Sequence, residues 1–172
     1  MSFRNSIVLI GLTLTIGACA DEKRTAASAN DAKTQNASNP KPEDDATRGN
    51  LKVSDDIRKA CGLTDAEAYF AFDSAHVRPS DQTVLKKIAE CFSSGALKGR
   101  EMLLVGHADP RGSADYNLAL GGNRADNVKS VFASLGMSTQ KIATSSRGAM
   151  DASGTEETSW SKDRRVDASI GE

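Results

Sequence analysis

The chain has 172 residues, 38% of them apolar and 26% charged, enough for one ordinary globular domain with tails. Its formal net charge is −1, so there is no basic field to draw nucleic acid to it. No internal repeat is visible.

Met1 to Cys19 reads as a targeting segment. Arg4 supplies a positive start, and Ile7 to Gly17 is an apolar stretch. That stretch is too short to span a bilayer as a helix, which takes about 20 residues. Ile16-Gly17-Ala18-Cys19 resembles a lipobox, the site at which bacterial lipoproteins are cleaved and their cysteine is lipidated. The alternative is an ordinary signal peptide cut near Ala18 or Ala20, with Cys19 incidental. Residue 20 is alanine rather than aspartate. By resemblance to sorted lipoproteins, this implies passage to the outer membrane and a periplasm-facing protein. Several acyl chains hold far more firmly than one, since each buried methylene adds about 0.8 kcal/mol.

Residues 20–50 are rich in Ala, Asp, Lys, Thr, Asn, Ser and Pro and lack aromatic and large aliphatic side chains. Such a segment cannot bury enough apolar surface to offset its ordering entropy, so it is expected to be a disordered polar tether. About thirty residues span roughly 30 Å as a coil and near 100 Å when stretched. A spacer without tuned length is an equal reading.

The folded domain is expected over residues 51–172. Leu51 to Leu63 forms a short helix or ordered lead-in, with Ile57 as its largest apolar contact. Glu67 to Phe72, with Tyr69, Phe70 and Phe72, reads as the first strand. Phe72-Asp73-Ser74 ends it. A helix starts at Arg78-Pro79-Ser80-Asp81, with Ser80 or Asp81 as N-cap. Val84, Leu85, Ile88, Cys91 and Phe92 fall on one face of it, and Ser94-Gly95 ends it.

Met102 to Val105 is a short uninterrupted apolar run, suited to a buried strand. Gly106 to Ser113 holds Gly, Asp, Pro and Ser, and so forms a loop. From Tyr116 to Leu135, Leu118, Ala125, Val128, Phe132 and Leu135 are spaced for one helical face, and Gly136 sits where a left-handed cap belongs. Asn117, Leu120 and Arg124 share one stripe of that helix. Gly121-Gly122 costs roughly 1 kcal/mol per glycine inside a helix, so close approach of backbone or ligand, or a frayed turn, is expected there.

Asp109, in the loop, and Arg124, on the stripe, can therefore face one small pocket. A carboxylate beside a guanidinium suits a zwitterionic amino acid: the acid takes the ammonium and the arginine takes the carboxylate bidentately. The other reading is structural, with Asp109 capping the helix or pairing with Arg124.

Gly106-His-Ala-Asp109, Arg111-Gly112, Tyr116-Asn117-Leu-Ala-Leu-Gly121 and Arg124-Ala125-Asp-Asn-Val128 resemble the core signature of the OmpA-like peptidoglycan-binding domain. The Tyr-Asn-x-Ala-Leu-Gly run is most similar to the peptidoglycan-associated lipoprotein branch. The resemblance covers roughly Ala68 to Ile170. It implies that Asp109 and Arg124 hold the diaminopimelate residue of the peptidoglycan stem peptide. It also implies that the Phe72-Asp73 corner closes one side of the pocket, although Asp73 reads equally as Asx turn chemistry. Asn117 and Leu120, on the Arg124 stripe, complete the candidate peptidoglycan-binding set.

Beyond this unit, Thr139 to Ile142 is a turn, Ile142 to Arg147 a strand, and Ala149 to Ser159 a polar loop. In the last strand Val166, Ala168 and Ile170 alternate with Arg165, Asp167 and Ser169, one dry face and one wet. The sum is an α+β two-layer sandwich, β-α-β-α-β-β, with one mixed sheet and helices on one side; the fold implied by the resemblance agrees. The resembling family usually carries Asn-Arg-Arg where this chain has Asp163-Arg164-Arg165. Those arginines either lie near the pocket or pair on the sheet surface, the preferred reading. Ala108 stands where the family often has threonine.

If Cys19 is lipidated, Cys61 and Cys91 remain as an even pair in an oxidising compartment, and a disulfide is expected over two buried thiols. Closing a loop of about thirty residues stabilises by roughly 3–4 kcal/mol if unstrained. His76, His107 and Asp109 lack zinc spacing, and no cofactor is implied. No Ser or Cys nucleophile motif supports an enzyme. The expected function is a non-enzymatic, lipid-anchored link between outer membrane and cell wall. The alternative is a lipoprotein that docks protein partners, such as a Tol-system β-propeller, with a weak or degenerate pocket.

Overall fold

The computed structural model describes residues 48–74 and 76–171. The targeting segment, Cys19 and most of the tether lie outside them. Five strands form one mixed sheet in the order β2-β1-β5-β3-β4. Chain order is β1 (Arg48–Val53), α1 (Asp55–Ala60), α2 (Asp65–Ala68), β2 (Tyr69–Asp73), α3 (Pro79–Ser93), β3 (Met102–His107), α4 (Ala114–Ser134), β4 (Ile142–Gly148), α5 (Glu157–Asp163) and β5 (Arg165–Ile170). A 3₁₀ turn over Thr139–Lys141 leads into β4. The α+β architecture is the expected one.

The dry face of the sheet is built by period-two alternation. Parallel pairing of β1 with β5 sets Leu51 beside Val166 and Val53 beside Ala168. Antiparallel pairing of β5 with β3 carries the second row on to Leu104, and parallel pairing with β4 carries it to Thr144. Leu51, Val53, Met102, Leu104, Ile142, Val166 and Ala168 are buried in one cluster with Ile57, Leu85, Ile88, Phe92, Val128 and Phe132 from the helices. Each of the larger ones, Val, Leu, Ile, Met or Phe, contributes about 1.5–3 kcal/mol through burial. On the other face Lys52 and Ser145 are exposed, while Arg165 and Asp167 are half-buried.

Several elements depart from the expected ones. The expected Leu51 to Leu63 segment divides: its short helix is confined to Asp55–Ala60, and the residues before Ser54 are strand. Arg48–Val53 is a strand inside the sheet, beginning three residues before the expected domain start. Helix α1 follows it, with Ser54 as N-cap. Glu67 belongs to the helical turn α2, where Thr64 and Glu67 form a capping box, so strand β2 begins at Tyr69. Helix α3 starts at Pro79, with Arg78 at the cap position and no side-chain cap. Proline suits the first helical position because its missing N–H would have no intrahelical partner. Asp81 instead pairs with Arg78, at 2.7 Å.

Helix α4 begins two residues early, capped by the Ser113 hydroxyl, which accepts from the Tyr116 N–H at 3.3 Å. Gly136 follows it with φ +92°, the left-handed residue expected there. Leu118, counted on the buried face, is 44% exposed. The buried stripe instead runs through Asn117, Gly121, Arg124 and Val128, with Leu120, Ala125 and Phe132 beside it. The polar segment after Ala149 contains a helix, α5. The Cys61–Cys91 disulfide is present, tying the end of α1 to α3 across 30 residues.

Candidate functional site

The site forms where β3 delivers its loop against α4. Gly106 and Gly121 let the two backbones touch. A Cβ on Gly106 would lie 1.8 Å from the Gly121 carbonyl oxygen, and one on Gly121 would lie 2.7 Å from the Gly106 carbonyl oxygen. This is the close approach expected of the glycine pair, but Gly122 takes no part in it: its nearest neighbour would be 3.9 Å away. With α4 seated so low on β3, the stripe residue Arg124 reaches the strand end. Its Nη1 donates to the His107 carbonyl at 3.0 Å, and its Nε donates to the Arg48 carbonyl at 3.2 Å. The guanidinium thus clamps the ends of β3 and β1 to α4 and is 2% exposed.

Asp109, two residues beyond His107, is 3% exposed. It is gripped from two sides. Arg111 donates its backbone N–H (3.1 Å) and Nε (3.0 Å) to Oδ1 and its Nη2 to Oδ2 (2.7 Å). Arg164, arriving from the end of α5, donates Nη1 to Oδ2 at 3.1 Å. Burial is the largest single influence on the Asp109 carboxyl and pushes it up. The hydrogen bonds from Arg111 and Arg164 together outweigh it and hold the group at about 2. Arg164 also donates Nη2 to Glu157, and Arg111 Nη1 lies 4.0 Å from the same carboxylate. The Arg111 guanidinium sits 4.5 Å above the Trp160 ring.

Behind this ring, His107 is buried between two acids. Its Nε2 is 3.2 Å from Asp167 Oδ2 and its Nδ1 is 3.4 Å from Asp151 Oδ2. Arg147 holds Asp151 at 2.5 Å and is the main reason that carboxyl lies below its usual range. Burial raises Asp167, but His107 and Arg165 outweigh it, and its carboxyl is also lowered. Among the described residues no group of three or more His, Cys, Asp or Glu could hold a metal ion.

The model of the OmpA family matches residues 69–166, more than half of the chain. The chain belongs to the OmpA family. It is 38% identical over 101 residues to the peptidoglycan-associated lipoprotein of Buchnera aphidicola, a match covering 56% of each protein. The chain therefore spans little more than half the length of that relative. A longer match, 30% identical over 166 residues, joins it to the peptidoglycan-associated lipoprotein of Brucella melitensis and covers 92% of this chain and 87% of that one. Among solved structures, that of the peptidoglycan-associated lipoprotein from Burkholderia pseudomallei is similar at 35% identity. Its TM-score is 0.51, with 59% of this chain and 86% of that chain covered.

Within this OmpA-family domain the signature residues gather at one end of the sheet, but with divided partners. Asp109 is held by Arg111 and Arg164; Arg124 is held to backbone carbonyls. Phe72 and Arg124 line a small cavity of about 10 Å³ together with Arg48, Gly49, Asn50, Val128 and Val166. Asp73 reaches that wall indirectly: it accepts from Arg48 Nε at 3.1 Å, while its Oδ1 accepts from the His76 N–H at 3.2 Å, an Asx-type contact. Asn117 and Leu120 are buried on the stripe.

The Arg164-Arg165 pair divides. Arg165 pairs with Asp167 on the sheet, at 3.1 Å, as preferred. Arg164 does not; it is buried against Asp109, the alternative near-pocket placement. Asp163 accepts from the Ser153 and Gly154 N–H groups at 3.2 and 2.9 Å and so ties down the loop before α5. Sequence reasoning gave no role to Arg111, Glu157 and Trp160. The available signal was the Glu156-Glu157-Thr-Ser159-Trp160 run. Glu156 and Ser159 form a reciprocal cap that starts α5 and places Glu157 and Trp160 beside the loop.

Proposed function

We propose that this chain is a non-enzymatic, lipid-anchored envelope protein that binds the diaminopimelate stem peptide of peptidoglycan and links the outer membrane to the cell wall. The observation that carries this reading is family membership, together with the delivery of Asp109 and Arg124 by the family signature to the same end of β3. Asp109 would take the ligand ammonium, and Arg124 its carboxylate. Phe72, Asp73, Asn117 and Leu120 would form the walls. Cys19 would carry the acyl chains, and residues 20–50 would supply the reach. The names of the Brucella, Buchnera and Burkholderia relatives support a wall-bound lipoprotein.

In the closed geometry described above both charges are buried, so binding requires the loop from Ala108 to Ser113 to exchange internal partners for ligand. Truncating either charge should cost about 2–5 kcal/mol of binding. The experiment is retention of the protein on isolated peptidoglycan sacculi, with Asp109→Ala and Arg124→Ala and a check of thermal unfolding on each. Wild-type retention by both variants would sink the site assignment.

One observation favours a second reading, a lipoprotein that docks proteins such as a Tol-system β-propeller. The cavity at Phe72 and Arg124 has room for about one water molecule and no more. Full retention of partner binding in variants that lose sacculi, or the reverse, separates the two.

A further inference from the structure

Arg164 holds two carboxylates at once, Asp109 through Nη1 and Glu157 through Nη2. Arg111 faces the same two acids from the loop side, bonded to Asp109 at 2.7 Å and 4.0 Å from Glu157 Oε2. Two cations and two anions thus close a ring with no net charge. The acids are not equivalent. The Asp109 side chain is 4% exposed, whereas that of Glu157 is 50% exposed. Withdrawing Asp109 would break the buried half of the ring, its bonds to both Arg111 and Arg164, and leave Glu157 as the one remaining counter-charge for two guanidinium groups. Withdrawing Glu157 takes only rotation of a half-exposed side chain at the start of α5 into water. Any incoming carboxylate can then take its place without changing the charge of the ring.

We propose that Glu157 is a built-in occupant of a carboxylate subsite formed by Arg164 and Arg111, and that a free carboxylate of the wall peptide displaces it. This rests on the peptidoglycan reading and deepens it. It assigns a ligand carboxylate to the guanidinium pair that holds Asp109, a pair distinct from Arg124, whose Nε and Nη1 hold the carbonyls of Arg48 and His107. Planar guanidinium groups match a carboxylate bidentately, and the Trp160 face keeps the Arg111 plane in position. Binding here is an exchange, so the Glu157 pairing energy subtracts from ligand affinity. Removing the Glu157 charge therefore strengthens binding, the opposite of what loss of a ligand contact or a structural support would do.

Trp160 is the single tryptophan of the chain, and its contact with Arg111 makes its fluorescence a reporter of the ring. The intact protein is titrated with meso-diaminopimelate and, separately, with glutarate, as wild type, Glu157→Gln and Arg164→Gln. Circular dichroism and thermal unfolding establish that each is folded. Glu157→Gln is expected to bind both probes about two- to fivefold tighter, the range for loss of a half-exposed ion pair; Arg164→Gln is expected to lose glutarate. Equal or weaker binding by folded Glu157→Gln, or no response to glutarate in either wild type or that variant, overturns the proposal. Sacculi retention is scored in parallel. Failed retention with tighter glutarate binding by Glu157→Gln removes the wall reading and keeps the subsite. Intact retention with unchanged probe affinity does the reverse.

Discussion

Arg164 donates to the Asp109 carboxylate at 3.1 Å across 55 residues of sequence, joining the last helix to the loop that follows β3. That contact, with the three hydrogen bonds from Arg111, holds the Asp109 carboxyl at about 2 against an ordinary 3.8. A carboxyl depressed in the folded state stabilises the fold above its unfolded pKa and loses that contribution as pH falls through the folded one. The shift corresponds to roughly 2 kcal/mol at neutral pH. Asp109→Asn should therefore be less stable than wild type by about that amount at pH 7, the gap closing between roughly pH 5 and pH 2. Urea unfolding midpoints of both proteins across this range measure it. Parallel curves would show that Asp109 is not the group responsible.

The two adjacent glycines of α4 should respond to alanine with opposite signs. A Cβ on Gly121 would meet Ser146 Oγ at 2.4 Å and the Gly106 carbonyl at 2.7 Å, whereas one on Gly122 would find only Ser146 Cβ, at 3.9 Å. Gly121→Ala is expected to destabilise by about 1–3 kcal/mol through forced separation of α4 from β3. Gly122→Ala should stabilise by up to about 1 kcal/mol, the ordinary helix propensity gain. Denaturation midpoints of the two variants decide this, and destabilisation by Gly122→Ala would contradict the packing described here.

These contrasts show where local pattern is informative and where it stops. The alternation of Val166 and Ala168 and the stripe shared by Asn117, Leu120 and Arg124 were legible because each depends on spacing within one element, and the Cys61–Cys91 pair because two cysteines remain beside Cys19 in an oxidising compartment. Strand β1 was not. Arg48-Gly-Asn-Leu-Lys-Val53 carries only two large apolar residues and follows a polar tether, and its place in the sheet comes from pairing with β5 more than 110 residues later. The charge ring was hidden for the same reason. Asp109 and Arg111 are neighbours, but Arg164 and Glu157 reach them only because α5 exists, and α5 looked like a loop. Leu118 fits an apolar heptad with Ala125 and Phe132, yet it faces out because Gly121 and Arg124, not Ala125 alone, mark the contact line.

The disulfide links α1 to α3, both of which contribute to the common core through Ile57, Leu85 and Ile88. Constraining a thirty-residue loop in the unfolded chain predicts a loss of roughly 3–4 kcal/mol on Cys61→Ser with Cys91→Ser. Oxidised wild type treated with reductant should fall to the stability of the double variant. No change in the urea midpoint on reduction would mean that the bridge does not constrain the unfolded state.

Arg124 has two separable duties under the proposed function, and a conservative variant distinguishes them. Its Nε and Nη1 hold the Arg48 and His107 carbonyls, so Arg124→Ala should weaken both the fold and any ligand contact. Arg124→Lys keeps the charge but presents a point ammonium instead of a rigid fork, and cannot reproduce both directed bonds. Loss of one such hydrogen bond to a charged donor costs about 1.5–3 kcal/mol of stability. If Arg124 also grips a ligand carboxylate, Arg124→Lys should lose sacculi retention even at temperatures where it is fully folded, because bidentate recognition is gone. If Arg124 only staples β1 and β3 to α4, folded Arg124→Lys should retain sacculi like wild type while unfolding at lower urea. Retention and unfolding measured on the same preparation distinguish these outcomes.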